Sequence, residues 1–331
     1  MLQRTIFQDS SGVPSVIRWK GDTLICAFQW FRQPVNSLSW DKVAVKFSYD
    51  AGLNWTEPFP ILVHDIPVNF QRPFDPTLAL SHDSLRIYFS SSDGLPMGGL
   101  DSSINTYSAI SVDGVNYYFE PGPRFDHPTN RVIDPAVILF KDQWHYAAPI
   151  GAPQNGAYHC TSFDGINFTI QNNYLSDFNH NWTGNFMVYD STELRFYGSG
   201  ANVWYNSSSD GNFWQGYHNT NLAGGDPSVI KINTTDYLVI YVGESYTTNI
   251  KNEKNNLSNI HIFPNPFTDF IFFTSSDSQK YNYSINTITG SHLSSGITSS
   301  NEIIKIPDFS SGIYFLTLKN DLSYETIKIV K

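Results

Sequence analysis

A short turn motif recurs four times within residues 1–250, and each copy directly follows a strand-like run. Each copy reads Ser-x-Asp, then Gly, then an aromatic residue, and successive Asp residues lie 46 to 63 positions apart. Because Asp caps the amides of a tight turn and Gly supplies a positive φ, the motif predicts a β-hairpin. The four copies are FSYDAGLNW (47–55), SVDGVNY (111–117), SFDGINF (162–168) and SSDGNFW (208–214).

A second repeat is offset from the first and places Asp-Pro before an apolar strand, a turn and another strand. Its clear copies are RPFDPTLAL (72–80), RVIDPAVILF (131–140) and GGDPSVIKI (224–232). The last gap is the longer one, which predicts a degenerate copy between them, and WTGNFMVYDSTELRFYGSG (182–200) fits that place. GVPSVIRWKGDTLICAF (12–28) fits as the first copy, with Val13 where the others have Asp.

Five copies of about 40 to 60 residues, each with four short strands, predict an all-β fold. We expect a five-bladed β-propeller over residues 1–249, followed by a linker at 250–256. A β-sandwich is the main alternative, but sandwiches do not repeat one turn motif four times. The last copy supplies only two strands before the polar linker, so we expect this chain to lack residues at its start.

The composition narrows the choice of partners. The net charge of −10 argues against nucleic acid or an anionic membrane surface. The sequence has no run of 18 apolar residues, which predicts no transmembrane segment. Cys26 and Cys160 lie in apolar runs far apart in the chain, so we expect two buried thiols, with a disulfide as the alternative in an extracellular protein.

Residues 257–331 differ in style and alternate short strands with Gly-containing turns, which predicts a small antiparallel β-sandwich. The segments IFPNPFTD (262–269), INTITGSHL (285–293) and IPDFSSGIYFLTL (306–318) occur in that order before a last strand that ends in Lys. This order resembles the type A C-terminal sorting domain of the type IX (Por) secretion system. An ordinary β-sandwich module is the alternative.

That resemblance implies the type IX machinery as a partner and export to the outer surface, or into the medium, of a Gram-negative bacterium. Cargo of this family also carries a signal peptide, and none is visible in MLQRTIFQDSSG (1–12). We therefore expect a mature or truncated form of an exported protein, whose function resides in the propeller.

The candidate chemistry lies on one face of the predicted propeller. Loops that enter the first strand of each blade share a face with the loops between second and third strands, whereas the turn motifs occupy the opposite face. Asp75, Asp134 and Asp226 should therefore converge in a central funnel and raise one another's pKa values, as acid–base work requires. Two alternatives remain open: each Asp caps backbone amides before its Pro, or the three bind Ca²⁺.

Further polar and aromatic residues belong to the same face. Arg72 and Arg131 each stand three residues before an Asp, where they could bind a substrate carboxylate or sulfate, or pair with acidic neighbours. Flat aromatic faces beside hydrogen-bonding groups suit sugars, although each Trp could equally pack within a blade. The remaining candidates for substrate binding are Trp30, Arg32, Trp40, Trp182 and Asn185.

The Asp-Pro strand starts and the hairpin motifs resemble five-bladed glycoside hydrolases that act on arabinans, xylans and fructans. The motifs also resemble the Asp-boxes of sialidases, but Gly12 stands where a sialidase has Arg. In the five-bladed enzymes carboxylates act as base, pKa modulator and acid, and the acid is usually Glu. Here Val13 replaces the expected base, and among the Glu residues only Glu244 could face the funnel.

These features predict a propeller that binds an extracellular polysaccharide or oligosaccharide and, if its catalytic set is intact, hydrolyses it, with no cofactor required. The catalytic candidates are Asp75, Asp134, Asp226 and Glu244. An acid at Glu244 or Asp226 with a base at Asp75 or Asp134 is one arrangement. The alternative function is a non-catalytic propeller that recognises a glycan or a protein after its catalytic set has decayed.

Overall fold

The computed structural model describes residues 5–32, 41–93, 104–243, 260–275, 279–287, 291–306, 308–320 and 324–331. The chain divides into two compact units, Met1–Ser245 and Tyr246–Lys331. Both consist of β-strands, and in the described part of the chain the helical structure is one short 3₁₀ turn at Pro153–Asn155. No described helix is long and apolar enough to cross a membrane.

The described residues of the first unit form five sheets, numbered I to V here in chain order. In every sheet except the second, each strand pairs antiparallel with the strand that follows it in the chain. Sheet I contains β1 (Ser11–Arg18), β2 (Leu24–Trp30), β3 (Lys42–Ser48) and β4 (Phe59–Pro60). Sheet II contains β5 (Leu62–His64), β6 (Phe74–Ser81), β7 (Ser84–Ser92), β8 (Ile104–Ser111) and β9 (Asn116–Phe125), with β5 added parallel to β9. Sheet III contains β10 (Ala136–Phe140), β11 (Gln143–Pro149), β12 (Ala157–Ser162) and β13 (Thr169–Ile170). Sheet IV contains β14 (Asn181–Val188), β15 (Leu194–Ser199), β16 (Trp204–Ser208) and β17 (His218–Asn219), and sheet V contains β18 (Gly225–Lys231) and β19 (Tyr237–Val242).

One inner strand from each of the five sheets contacts the inner strands of its two neighbours, which forms a closed ring. β1 contacts β6, β6 contacts β10, β10 contacts β14, β14 contacts β18, and β18 returns to β1. Ser228 Oγ accepts a hydrogen bond from the amide of Val16 at 2.9 Å, so sheets V and I are joined. Ser15 Oγ likewise accepts from the amide of Leu78 at 2.9 Å, which joins sheets I and II. The degenerate copy predicted at 182–200 forms β14 and β15, the inner strands of sheet IV.

The hydrophobic core lies between neighbouring sheets. Separate buried clusters fill the interfaces of sheets I and II, II and III, III and IV, IV and V, and V and I. Each sheet therefore packs against a neighbouring sheet on both of its faces. Because apolar side chains are buried on both faces, the strands read as continuous apolar runs in the sequence. Cys26 and Cys160 are free and buried, as predicted.

The four Ser-x-Asp turns share one hydrogen-bond pattern. In the third copy Ser162 Oγ donates to Asp164 Oδ1 at 2.8 Å and accepts from the amide of Gly165 at 3.0 Å. Asp164 Oδ1 also accepts from the amides of Ile166 and Asn167, each at 2.8 Å. These donors hold the pKa of Asp164 below its ordinary value. The Asp residues of these turns are therefore structural.

The glycines of these turns also join the sheets. A Cβ on Gly165 would lie 2.6 Å from Arg86 Nη1 and 2.8 Å from the Tyr88 hydroxyl, both on β7 of the preceding sheet. Each of the other turn glycines meets the second strand of its own preceding sheet in the same way. The pairs are Gly52 with Leu238, Gly114 with Ile25, and Gly211 with His145.

In the second unit the described strands form two antiparallel sheets. The first, in the order β20-β21-β24, contains β20 (His261–Phe263), β21 (Phe270–Thr274) and β24 (Ile304–Lys305). The second, in the order β23-β22-β25-β26, contains β22 (Lys280–Thr287), β23 (His292–Ser299), β25 (Ile313–Lys319) and β26 (Tyr324–Val330). Side chains from both sheets share one buried cluster, which includes Ile271, Phe273, Tyr281 and Leu316.

Candidate functional site

Four inner strands share one unusual backbone position. A residue with a positive φ angle, in the left-handed region, lies within β1, β6 and β18 and just before β10. The φ angles are 47° at Val13, 48° at Asp75, 53° at Asp134 and 46° at Asp226. In β1, β6 and β18 the strand register shifts at this residue. Asp adopts this conformation readily, but a β-branched residue is strained there, so Val13 occupies a backbone site built for Asp.

The carboxyl groups of this position cap the next sheet. Asp75 Oδ2 accepts a hydrogen bond from the amide of Asp134 at 3.4 Å. The amide of Val13 lies close enough to the Asp226 carboxyl to lower the pKa of that carboxyl. The capping interpretation of the Asp-Pro motif therefore holds for Asp75, but the amide that it caps belongs to the neighbouring sheet and not to its own strand.

Neutral side chains take over the capping role where the Asp is missing. In sheet I, Gln29 Oε1 accepts from the amide of Asp75 at 3.3 Å. In sheet IV, Ser199 Oγ accepts from the amide of Asp226 at 2.8 Å. Both residues lie at the end of a second strand, β2 or β15. Capping alone consequently does not require a carboxylate, and the retained Asp residues need a further explanation.

Asp75, Asp134 and Asp226, the carboxylate cluster, interact with one another. Burial raises the pKa of Asp75 to about 6, and the charge of Asp226 adds to that effect. Burial and the charges of Asp75 and Asp226 raise the pKa of Asp134 well above its ordinary value. Burial also raises the pKa of Asp226. At neutral pH the cluster therefore keeps a proton, and Asp134 is the member most strongly favoured to hold it.

Two arginines lie beside the cluster. The positive charge of Arg131, an exposed residue, lowers the pKa values of both Asp75 and Asp134. Arg72 forms an ion pair with Asp41, and Asp41 Oδ1 accepts from Gln29 Nε2 at 2.5 Å. Gln29 also caps the amide of Asp75, so a chain of contacts links Arg72 to the cluster, and Arg72 itself is the salt-bridge partner of Asp41.

The other predicted site residues differ in their exposure to solvent. Trp30 stays partly exposed at the end of β2, and the Arg32 guanidinium lies 4.6 Å from the centre of its ring. Trp182 is only 1% exposed and packs among Tyr174, Phe196 and Trp204, so the prediction that it contacts substrate is wrong. Trp40 and Glu244 lie outside the described residues.

Asn185 is also buried and does not face a ligand. Its Nδ2 donates to the carbonyl of Pro14 at 3.0 Å, and its Oδ1 accepts from Thr77 Oγ1 at 3.0 Å. Asn185 therefore joins sheets I, II and IV at the centre of the ring. The prediction that it binds substrate is corrected, because its amide is engaged by protein atoms on both sides.

Sequence reasoning missed Gln29, Asp41 and Ser199. Their only signal was a polar residue next to the end of an apolar strand: Gln29 and Ser199 in LICAFQW and LRFYGS, and Asp41 directly before KVAVKFS. Among the residues that the structure describes, no group of three or more His, Cys, Asp or Glu side chains is arranged to hold a metal ion.

Comparison with known proteins separates the two units. Residues 261–331 match the family model described as a secretion system C-terminal sorting domain. This match confirms the resemblance found in the sequence and indicates that the chain is exported. No curated protein matches the sequence.

Solved structures similar to this chain are glycoside hydrolases with propeller folds. A family 117 glycoside hydrolase of the marine bacterium Zobellia galactanivorans has a TM-score of 0.52 at 12% identity, over 67% of this chain and 73% of the other. A GH43_1 enzyme of Xanthomonas citri, complexed with xylose, has 0.52 at 15%, over 70% and 80%. A GH32 β-fructofuranosidase of Bombyx mori has 0.51 at 12%, over 97% and 86%. At these identities the likeness shows the propeller fold alone.

Proposed function

We propose that this protein is an exported five-bladed propeller that binds an extracellular glycan at the carboxylate cluster. The observation that carries the proposal is the presence of three mutually repelling Asp residues, one buried and two partly buried, where Gln29 and Ser199 cap the equivalent amides without charge. Buried carboxylates that repel one another reduce stability, and groups with such perturbed pKa values concentrate at functional sites.

The ring of inner strands supports a five-bladed architecture. We take the five sheets whose inner strands meet around one axis as the blades, and the channel end with Asp75, Asp134 and Asp226 as the funnel. The buried cluster that the two sheets of the second unit share supports a small β-sandwich there. We assign export to the type IX machinery of a Gram-negative bacterium, with the propeller at the cell surface or in the medium.

The glycan as ligand is supported by the chemistry of the funnel. Arg131 is exposed beside the carboxylate cluster, and Trp30 with Arg32 offers an aromatic and cationic surface at the end of β2. Carboxylates, guanidinium groups and aromatic faces together bind the hydroxyls and the apolar faces of sugar rings. The structural neighbours include an enzyme in complex with xylose, which is a sugar. Binding of Ca²⁺ by the three Asp residues stays a separate proposal, and the proposed glycan binding does not require it.

Hydrolysis of the bound glycan is the second candidate function, and the raised pKa values favour it. A carboxyl that keeps its proton near neutral pH can donate that proton to the glycosidic oxygen as the bond to the anomeric carbon breaks. An ionised neighbour then takes a proton from the water that attacks this carbon, as in inverting enzymes, or attacks it directly, as in retaining ones. Val13, which replaces a fourth carboxylate, favours the non-catalytic alternative.

The test uses the full chain and a panel of soluble arabinan, xylan, fructan and algal polysaccharides. Affinity electrophoresis reports binding, and reducing-end assays report hydrolysis. We expect Asp134→Asn to weaken binding of the polysaccharide that the native protein retains, and to abolish any sugar release. Asp65→Asn is the matched control, because Asp65 also has a left-handed backbone, with a φ of 62°, but is exposed outside the funnel.

Failure of the native protein to retain or cleave any member of the panel would overturn the proposal and point to a protein partner. Equal effects of Asp134→Asn and Asp65→Asn would also overturn the assignment of the funnel. Binding without release, weakened only by Asp134→Asn, would establish a binding module and exclude the hydrolase.

A further inference from the structure

The segment 174–180, between β13 and β14, presents two apolar side chains to solvent. Phe178 is 79% exposed and Leu175 is 89% exposed. Neither residue belongs to the clusters that hold the sheets together. An exposed aromatic ring is unremarkable in isolation, but here the surrounding backbone is fixed by many contacts.

Several polar anchors fix this segment. The backbone of Tyr174 exchanges hydrogen bonds with that of Ala157 at 2.9 and 3.1 Å, and Tyr217 donates its hydroxyl to the carbonyl of Leu175 at 2.8 Å. Asp177 Oδ1 accepts from the amide of Asn179 at 2.8 Å and contacts His180 Nδ1 at 2.7 Å.

His180 completes the anchoring next to Phe178. Its ring stacks on Tyr217 with centroids 4.0 Å apart and planes 1° apart, and it meets the edge of Trp204. Every described anchor of the loop is thus made by backbone atoms or by side chains other than those of Phe178 and Leu175. These two side chains can be replaced without loss of the contacts that shape the loop.

A short chain of contacts limits the distance between the loop and the carboxylate cluster. The amide of Asp226 donates to Ser199 Oγ at 2.8 Å, and Ser199 is followed by Gly200. A Cβ on Gly200 would lie 2.5 Å from the carbonyl oxygen of Asn179, the residue after Phe178. Because consecutive Cα atoms lie about 3.8 Å apart, the Cα of Phe178 is within about 20 Å of the Asp226 amide. A few sugar rings cover that distance.

We propose that Phe178 is a binding platform that stacks on a sugar ring of the glycan beyond the ring held at the carboxylate cluster. The inference rests on the proposed function and adds to it the class of ligand: an oligosaccharide or polysaccharide chain of several residues, and not a single sugar. A rigid, exposed aromatic ring loses little entropy on binding, and its flat face matches the C–H face of a pyranose or furanose. Leu175 extends the apolar surface next to it.

The test compares Phe178→Ala with Phe163→Ala in the full chain. Phe163 is the matched control, since it is 88% exposed in a Ser-x-Asp turn on the opposite face. We expect Phe178→Ala to weaken binding of the retained polysaccharide roughly 5- to 10-fold, as the loss of one aromatic contact predicts. Phe178→Trp should restore binding, and Phe163→Ala should leave it unchanged.

Ligand length supplies a readout that a purely structural role would not change. Isothermal titration with the polysaccharide's own oligomers should show the Phe178→Ala deficit for chains of several residues and no deficit for the monosaccharide. Native affinity in Phe178→Ala, with weakened binding in Asp134→Asn, would overturn the platform and leave the proposed function intact. Unchanged binding in both variants would overturn the proposed function and the platform together.

Discussion

The backbone amide of Asp134 donates a hydrogen bond to Oδ2 of Asp75 at 3.4 Å, so one member of the carboxylate cluster supports the strand that carries another. The same carboxyl has its pKa raised to about 6 by burial. The hydrogen bond to Asp134 needs only a side-chain oxygen, whereas the buried negative charge of Asp75 lowers the stability of the fold. An uncharged isostere separates the two roles.

Asp75→Asn should stabilise the protein at neutral pH, because the amide oxygen can still cap Asp134 while the buried charge is removed. The folded-state pKa of about 6 exceeds the ordinary 3.8, so the native protein loses stability as the pH rises through that window. The variant should match it near pH 4 and gain up to about 3 kcal/mol above pH 6. Urea denaturation at pH 4, 5, 6 and 7.5 measures the difference. A gain that is equal at every pH would contradict the raised pKa.

Val13→Asn should raise the free energy of unfolding by about 1 kcal/mol, because Asn tolerates the φ of 47° and Val does not. Thermal or urea denaturation measures it. Val188→Asn serves as the control, since Val188 is exposed at the end of β14 without a positive φ and should gain nothing. Destabilisation by Val13→Asn would show that Val13 is not strained.

Gly165→Ala should destabilise the protein by more than about 2 kcal/mol, because the new Cβ would collide with Arg86 and Tyr88 and would also occupy a φ of 71°. Gly21→Ala isolates the backbone effect: Gly21 has a φ of 61°, and a Cβ added there would meet nothing within 4 Å, so we expect a loss of about 1 kcal/mol. Equal losses, compared by urea denaturation, would deny that the turn glycines fit against the neighbouring sheet.

Two stacked, buried histidines predict sensitivity to acid. Burial lowers the pKa of His145 and of His159 to about 4, and their ring centres lie 5.9 Å apart. Since the unfolded state binds more protons between pH 6.5 and 4, stability should fall as the pH falls through that window. Each ring should cost about 3 kcal/mol of stability once the pH is below both pKa values.

His159→Phe should reduce this acid dependence, because it keeps a ring against Tyr174, 4.2 Å away, but cannot be protonated. Stability measured from pH 7.5 to 4.5 should fall less steeply than in the native protein. The same substitution at the exposed His64 should leave the pH profile unchanged. An identical profile for all three proteins would disprove the depressed pKa of His159.

The repeat, the strands and the recurring chemistry of the turns could be read from the amino-acid sequence. Ser-x-Asp-Gly carries its own hydrogen-bond partners within a few residues, so local physics fixes it, as Ser162 and Asp164 demonstrate. The alternation and order of the last 75 or so residues likewise predicted the match at 261–331. The degenerate fourth copy was predictable because strand length and apolar pattern persisted after its Asp was lost.

Which side chains serve the funnel depended instead on long-range packing. Trp182 and Asn185 lie on the same strand and have suitable chemistry, yet packing between sheets buries one and cross-links the other to Thr77 and Pro14. Gln29 and Ser199 acquire their roles from amides 46 and 27 residues away in the chain. Such partners are brought together by closure of the ring, which is a long-range effect of burial that no local pattern encodes.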